Sequence, residues 1–132
     1  MGRIAVTDGM DDVAVSILET AGHEVVLRHY EPEELRCGAL ADFDAVVVRS
    51  ATKMTSDAID ASCKEGMLGF IGRAGVGVDN IDIGAATRNG VVVCNTPGAS
   101  TNSVVELTIG HLIASTRFVA RADRTLRTGD WA

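Results

Sequence analysis

The stretch Ala45-Val46-Val47-Val48-Arg49-Ser50-Ala51-Thr52-Lys53 runs apolar for four residues without a break, then turns polar and basic. A strand with one wet face alternates apolar and polar residues. A strand apolar at every position suits a parallel sheet covered by helices on both faces. Similar short runs lie on either side of it: Arg3 to Asp8 and Glu24 to Leu27 before, Leu68 to Ile71 and Val91-Val92-Val93-Cys94 after. Helical patterns separate them. Asp11 to Ala21 predicts a helix with Val13, Ile17 and Leu18 inward, stopped by Gly22. Glu31-Pro32-Glu33-Glu34-Leu35 starts another, with an early proline and acids at the positive end of the helix dipole. Thr55 is placed to cap a helix over 56–64 with Ala58, Ile59 and Ala61 inward, and Ile83 to Arg88 forms a short helix ended by Asn89-Gly90. Strands alternating with helices predict an α/β fold with an open five-stranded sheet, and the right-handed crossover rule makes it parallel.

A chain of 132 residues can bury about two-thirds of its unfolded surface around one core, but cannot hold a full dinucleotide domain and a full substrate domain together. Hydrophobic residues at 46% and charged residues at 23% are those of a globular domain, and an aromatic share of 4% leaves the core to small aliphatic side chains. A net charge of -6 excludes a nucleic-acid partner. The acids crowd into the first 44 residues, where Arg3, Arg28 and Arg36 are the only arginines, so this region reads as a solvated surface. Cys37, Cys63 and Cys94 are odd in number, lack metal-ligand spacing and sit in or beside apolar-patterned segments, which predicts reduced, mostly buried thiols of a cytoplasmic protein and no metal site. No apolar run of about 18 residues and no signal-peptide layout is present, so no membrane association is expected.

Beyond Pro97 the character changes. Gly98 to Asn102 is a small polar link, and Ser103-Val104-Val105-Glu106 matches a capping box. One long helix is expected from there to about Arg127, with Val105, Ile109, Leu112, Ile113 and Thr116 on one side and Arg117, Arg121 and Arg124 on another. It reads as a connector.

Two loops carry the chemistry. Arg49 to Lys53 and Arg73-Ala74-Gly75-Val76-Gly77-Val78-Asp79-Asn80 each follow a strand and each begin with a guanidinium. Ligands of open α/β sheets bind outside the carboxyl ends of the strands, near the switch point. An arginine fork bonds two oxygens of a carboxylate or phosphate at once, and Gly75 and Gly77 allow successive backbone N–H groups to converge on an anion. The pattern predicts a pocket for a small acid with one or two anionic groups. Against this, Arg49 and Arg73 have potential ion-pair partners in Asp79 and Asp82, and a glycine turn after a strand is often only a turn. G-x-x-G-x-G at Gly72 to Gly77 is not the G-x-G-x-x-G dinucleotide fingerprint. His23, His29 and His111 sit poorly for acid–base work.

Taken in order, Val46 to Lys53, Ile71 to Asp82 and Ala85 to Pro97, followed by Ser103 to Leu107 and Gly129-Asp130-Trp131, resemble the amino-terminal third of the D-isomer-specific 2-hydroxyacid dehydrogenases. The V-R-S-A-T-K and G-R-A-G-V-G-V-D-N forms are most similar to the members that act on a phosphorylated hydroxy acid. The resemblance implies a flavodoxin-like substrate domain over 1–97, lacking its carboxy-terminal return segment. The hinge and first helix of a Rossmann cofactor domain would follow over 98–132. It implies that Arg49 and Ser50 face the substrate, that backbone N–H groups at Ala74, Gly75, Val76 and Gly77 receive its carboxylate, and that Arg73 lies nearby. Lys53 is the candidate for the extra cation a phosphate demands. Val76 and Val104 would approach the nicotinamide of NAD. The implied partners are a small anionic 2-hydroxy acid and a second copy of the chain, through the long helix. The implied catalytic Arg, Glu and His have no counterpart in this sequence, so no catalytic residue is assigned and the isolated chain is expected to be inactive. Two alternatives stay open: a different 2-oxo or 2-hydroxy acid as substrate, and a non-catalytic α/β binding module on the same scaffold.

Overall fold

The computed structural model describes all residues except Glu65, Trp131 and Ala132. Five strands, β1 (Arg3–Val6), β2 (Glu24–Leu27), β3 (Ala45–Val48), β4 (Phe70–Arg73) and β5 (Val92–Asn95), form one sheet in the order β2-β1-β3-β4-β5. Every pairing is parallel, so the expected open parallel α/β sheet is what the chain forms. The helices α1 (Asp12–Thr20), α2 (Pro32–Arg36), α3 (Ser56–Lys64) and α4 (Ile83–Arg88) make the crossovers. The strand order reverses between β1 and β3, which sets the switch point there.

Side-chain alternation sorts the two faces of the sheet. Ala5, Val46, Val48 and Ile71 point to one side and join Leu35, Leu40, Met54, Ala58 and Ile59 in the main core under α2, α3 and α4. Tyr30 and Phe43 meet edge to face at 6.4 Å at its margin. On the other side α1 packs through Val15 over the β1–β2 end, where Ile4 and Val6 are buried. Beyond that cover, Phe70, Val92 and Cys94 are exposed and Val47 is half-buried, so the β3–β4–β5 half of this face is bare.

Local signals explain most boundaries. Asp11 caps α1 by accepting from Val13 N at 2.9 Å, and Asp82 caps α4 by accepting from Ala85 N at 2.8 Å. Glu31 N donates to Glu34 Oε2 at 2.8 Å, closing the start of α2 ahead of its proline. Gly22 ends α1 at φ 88°, a left-handed conformation that favours glycine.

Several expectations need correction. The thiols are not mostly buried: Cys37 and Cys94 are exposed and Cys63 is half-buried. In α1 the inward residues are Val15 and, in part, Leu18, while Val13 and Ile17 are 68% and 63% exposed; the helix is turned so that the 15–18 stripe meets the sheet. β4 begins two residues late, because Leu68 is buried as a lead-in and the pairing starts at Phe70 opposite Ala45. β5 likewise starts at Val92, since Val91 N still bonds back to Ala86 O. The long helix is two helices, α5 (Thr101–Thr116) and α6 (Val119–Arg127), broken at Phe118 with φ 53°.

At the end of α5 Thr116 Oγ1 bonds back to Leu112 O at 2.9 Å, as Thr108 Oγ1 does to Val104 O inside the helix, and Arg117 caps α5. Arg117 therefore does not share a helix face with Arg121 and Arg124. Ser103 is not the cap either; α5 starts two residues before it, after Ser100. The described residues fall into two compact units, Met1–Pro97 and Gly98–Ala132. No described helix is long and apolar enough to cross a membrane, and no cluster of metal-ligating side chains occurs among the described residues.

Candidate functional site

The carboxyl ends of β3 and β4 release the two loops singled out by their guanidinium groups. Arg49, Ser50 and Lys53 are exposed, and Arg73 is half-buried. Among the described residues the ion pairs are Arg3–Glu24, Arg28–Glu34, Arg36–Glu33 and Arg127–Asp123. The acids of the amino-terminal half are thus partly matched by their own arginines, while Arg49, Lys53 and Arg73 carry no ion pair. Asp82 does not neutralise either arginine; it is the cap of α4.

Arg73 folds back over its own loop. A Cβ placed on Gly75 would overlap Arg73 Nη1 and lie 2.5 Å from Cζ, so the guanidinium occupies the space that glycine leaves. Its Nε is buried without a partner. The head is a cation held in place with hydrogen-bonding capacity unused.

The backbone donors in this loop are not equivalent. Ala74 N donates to Val48 O and Gly75 N to Arg73 O, both at 2.9 Å, so these two are occupied within the chain. The N–H groups of Val76 and Gly77 have no acceptor among the described residues, and both residues are exposed. Asn95 Nδ2 holds Val76 O at 2.7 Å from the next strand, which fixes the turn. The donors open in this loop are those of Val76 and Gly77 together with the Arg73 head, and the Asp79 carboxylate lies beside Gly77, its Oδ1 2.8 Å from where a Cβ would stand.

The Arg49 loop is held from two sides. Asp8, just past β1, accepts from Arg49 N at 2.7 Å, from Thr52 N at 3.1 and 3.2 Å, and from Thr52 Oγ1 at 2.6 Å. Thr7 Oγ1 lies 2.8 Å from Thr52 Oγ1. Asn80 Nδ2 donates to Arg49 O and to Thr52 O, each at 2.7 Å. Burial alone would raise the Asp8 carboxyl, but the Thr52 and Arg49 hydrogen bonds, with His29 nearby, outweigh it and hold the group below its usual range. Neither Asp8 nor Asn80 stands out from the sequence as a site residue. The available signal was positional: an acid directly after the strand at the switch point, and an asparagine closing the glycine turn.

The predicted residues do not share one pocket. Lys53 lines a cleft of about 560 Å³ with His29, Tyr30, Glu31, Arg36 and Thr52, between the loops after β2 and β3. Arg73 and Ala74 line a shallower groove with Met10, Val47, Phe70 and Asn95, on the bare half of the sheet. Val104 is an exposed residue of α5 in the second unit. Trp131 lies outside the described residues. The pyrophosphate of NAD does not fit the residues of this chain: among the described residues no strand is followed by the glycine-rich turn and helix that would hold it.

The chain is 46% identical over 131 residues to a D-3-phosphoglycerate dehydrogenase of Methanocaldococcus jannaschii, covering 99% of this chain and 24% of that protein. It is 43% identical over 130 residues to a hydroxypyruvate reductase of Thermotoga maritima, covering 98% and 41%. A crystal structure of NAD+-bound 3-phosphoglycerate dehydrogenase from Entamoeba histolytica matches with a TM-score of 0.70 at 40% identity, covering 86% of this chain and 38% of that one. The chain thus spans about a quarter of the length of the D-3-phosphoglycerate dehydrogenases it matches, at 24%. The D-isomer specific 2-hydroxyacid dehydrogenase catalytic-domain family matches residues 4–127, and the chain belongs to that family.

Proposed function

We propose that this chain is the substrate-side portion of a cytoplasmic, NAD-dependent D-3-phosphoglycerate dehydrogenase of serine biosynthesis. Residues 1–97 are most of its substrate domain, and 98–132 are the hinge and the first helical part of its cofactor domain. The observation that carries the reading is that, among the described residues, Arg49, Lys53 and Arg73 after β3 and β4 carry no ion pair, and the Val76 and Gly77 N–H groups of the second loop have no acceptor. Arg49, with Ser50 beside it, and the Val76 and Gly77 N–H groups orient the substrate carboxylate and its neighbouring hydroxyl. Arg73 adds charge from the same side, and Lys53 faces the phosphate. Positioning by these groups accounts for binding and orientation, while the residues that move the proton and hold the cofactor belong to parts of the enzyme outside this chain. The bare β3–β4–β5 face supports the view that the substrate domain is completed by a further segment. The apolar, exposed surface of α5, which includes Val105, Leu107, Ile109, Leu112 and Ile113, supports homodimer formation through the second unit.

Steady-state kinetics of the enzyme containing this chain test the reading. Arg49→Ala and Lys53→Ala are expected to raise KM for 3-phospho-D-glycerate, and the isolated 132-residue chain is expected to reduce no NAD. An unchanged kcat/KM in Arg49→Ala would refute the Arg49 assignment, and turnover by the isolated chain would refute the division of labour. The identity to a hydroxypyruvate reductase favours one second reading, an unphosphorylated 2-oxo acid as substrate. Under that reading Lys53→Ala leaves KM unchanged.

A further inference from the structure

We infer that Asp8 and Asn80 are positioning residues that set the shape of the Arg49–Lys53 loop and its spacing from the Gly75–Gly77 turn. The inference rests on the reading of those two loops as the substrate-anion site. Its basis is a division of labour between two side chains from different parts of the fold. Asp8, an acceptor only, takes the N–H groups of Arg49 and Thr52 and the Thr52 hydroxyl. Asn80 spends both hydrogens of its Nδ2 on the carbonyls of the same two residues. Both ends of the Arg49–Thr52 segment are therefore fixed through donor and acceptor alike, and Ser50 and Ala51 between them keep N–H groups with no acceptor among the described residues.

The hydroxyls carry a direction. With Asp8 ionised, Thr52 donates to it across 2.6 Å, and Thr7 Oγ1 lies 2.8 Å from Thr52 Oγ1 and 3.5 Å from Val47 O. The Asn80 amide cannot be turned over, since its oxygen would then face two carbonyls. In the orientation adopted, Oδ1 is buried without a partner. An unpaired buried acceptor is costly, and its retention here marks a group kept for where it holds the chain. Asn80 also belongs to the loop that contains Gly75 and Gly77, and its own carbonyl receives Met54 N at 2.8 Å. One residue thus ties the Arg49 loop to the turn that presents the Val76 and Gly77 donors. Two anion-binding loops at a fixed separation favour an acid with two anionic groups at the matching distance over the same acid with one.

The experiment uses the 132-residue chain with two probes that differ only by the phosphate, 3-phospho-D-glycerate and D-glycerate. Dissociation constants are measured by titration calorimetry, and Arg49 and Thr52 amide exchange by NMR, for wild type, Asp8→Asn and Asn80→Ala. In Asp8→Asn the two amides are expected to exchange about tenfold faster or more. In both variants affinity for 3-phospho-D-glycerate is expected to fall about tenfold and that for D-glycerate less than about threefold, so the preference itself collapses. A merely structural role would lower both affinities together and leave the preference unchanged. That result, in a variant that is folded, overturns the inference. If Asp8→Asn does not fold, Thr52→Val removes one hydrogen bond from the carboxylate at nearly constant shape and should move the preference in the same direction. If the wild-type chain binds neither acid, the anion-site reading fails and the positioning role falls with it. Wild-type binding with an unchanged preference in the variants overturns the positioning role alone.

Discussion

Gly75→Ala separates the stability of this chain from its affinity for anions. The φ of Gly75 is not in the left-handed range, so alanine can adopt the backbone there. The three atoms nearest the added Cβ all belong to Arg73: it would overlap Nη1 and lie 2.5 Å from Cζ and 3.2 Å from Nε. These are the far atoms of a flexible side chain, which can swing into solvent. Replacing glycine gains about 0.4–1 kcal/mol from the unfolded chain. Losing the packing of a half-buried guanidinium offsets a similar amount, so net stability should change by less than about 1 kcal/mol. The binding consequence is larger. A charge-assisted hydrogen bond to a ligand is worth about 1.5–3 kcal/mol, so displacing the Arg73 head should weaken 3-phospho-D-glycerate binding by about tenfold to a hundredfold. Urea unfolding gives the first quantity and calorimetric titration the second. The cycle with Arg73→Ala completes the test: once the arginine is gone, Gly75→Ala should cost no further affinity. A loss of stability above about 2 kcal/mol, or a change in affinity below twofold, would show that the guanidinium is not the group alanine displaces.

Gly66→Ala should behave in the opposite way, because the new Cβ would overlap Ser62 O and lie 2.7 Å from the Ala41 Cα and O, which are backbone atoms; urea unfolding should show a loss of about 2 kcal/mol or more. The lowered Asp8 carboxyl contributes stability that is fully present above its unfolded value of about 3.9 and is lost as pH falls through the lower folded value. Asp60 is shifted the same way by Asn89 and Ser56, so the Asp8 share is read as the part of the stability loss on acidification below about pH 5 that Asp8→Asn removes. Burial, with Asp60 nearby, pushes the Cys63 thiol up, whereas Cys37 and Cys94 are exposed; maleimide labelling at neutral pH should modify Cys63 last.

The parts of the fold legible in the sequence were those where one local signal decides the outcome. Val46 and Val48 enter the main core while Ala45 and Val47 face the other side, so an unbroken apolar run marked β3 without help from its neighbours. Gly22 likewise acts within its own turn, ending α1 at φ 88°. The inward face of α1 was not legible, because Val13 and Ile17 have the spacing of a buried stripe yet sit on its exposed flank. The break at Phe118 sits at a single left-handed residue, φ 53°, which apolar periodicity does not register. At the site, Arg49 and Arg73 were visible as cations directly after strands. Asp8 and Asn80 were not, since their partners lie 41 and 44 residues away for Asp8 and 31 and 28 for Asn80. Such contacts exist only once β1, β3 and β4 lie side by side.

The central claim is that a small acid binds where β3 and β4 end. It is tested most directly by following the backbone amides of the chain during addition of 3-phospho-D-glycerate. The account predicts saturable shifts at Ser50, Ala51, Val76 and Gly77, the exposed N–H groups without an acceptor in the described chain, and their loss in Arg49→Ala. Shifts confined to other parts of the chain, or shifts at these four amides that persist at the same affinity in Arg49→Ala, would contradict it.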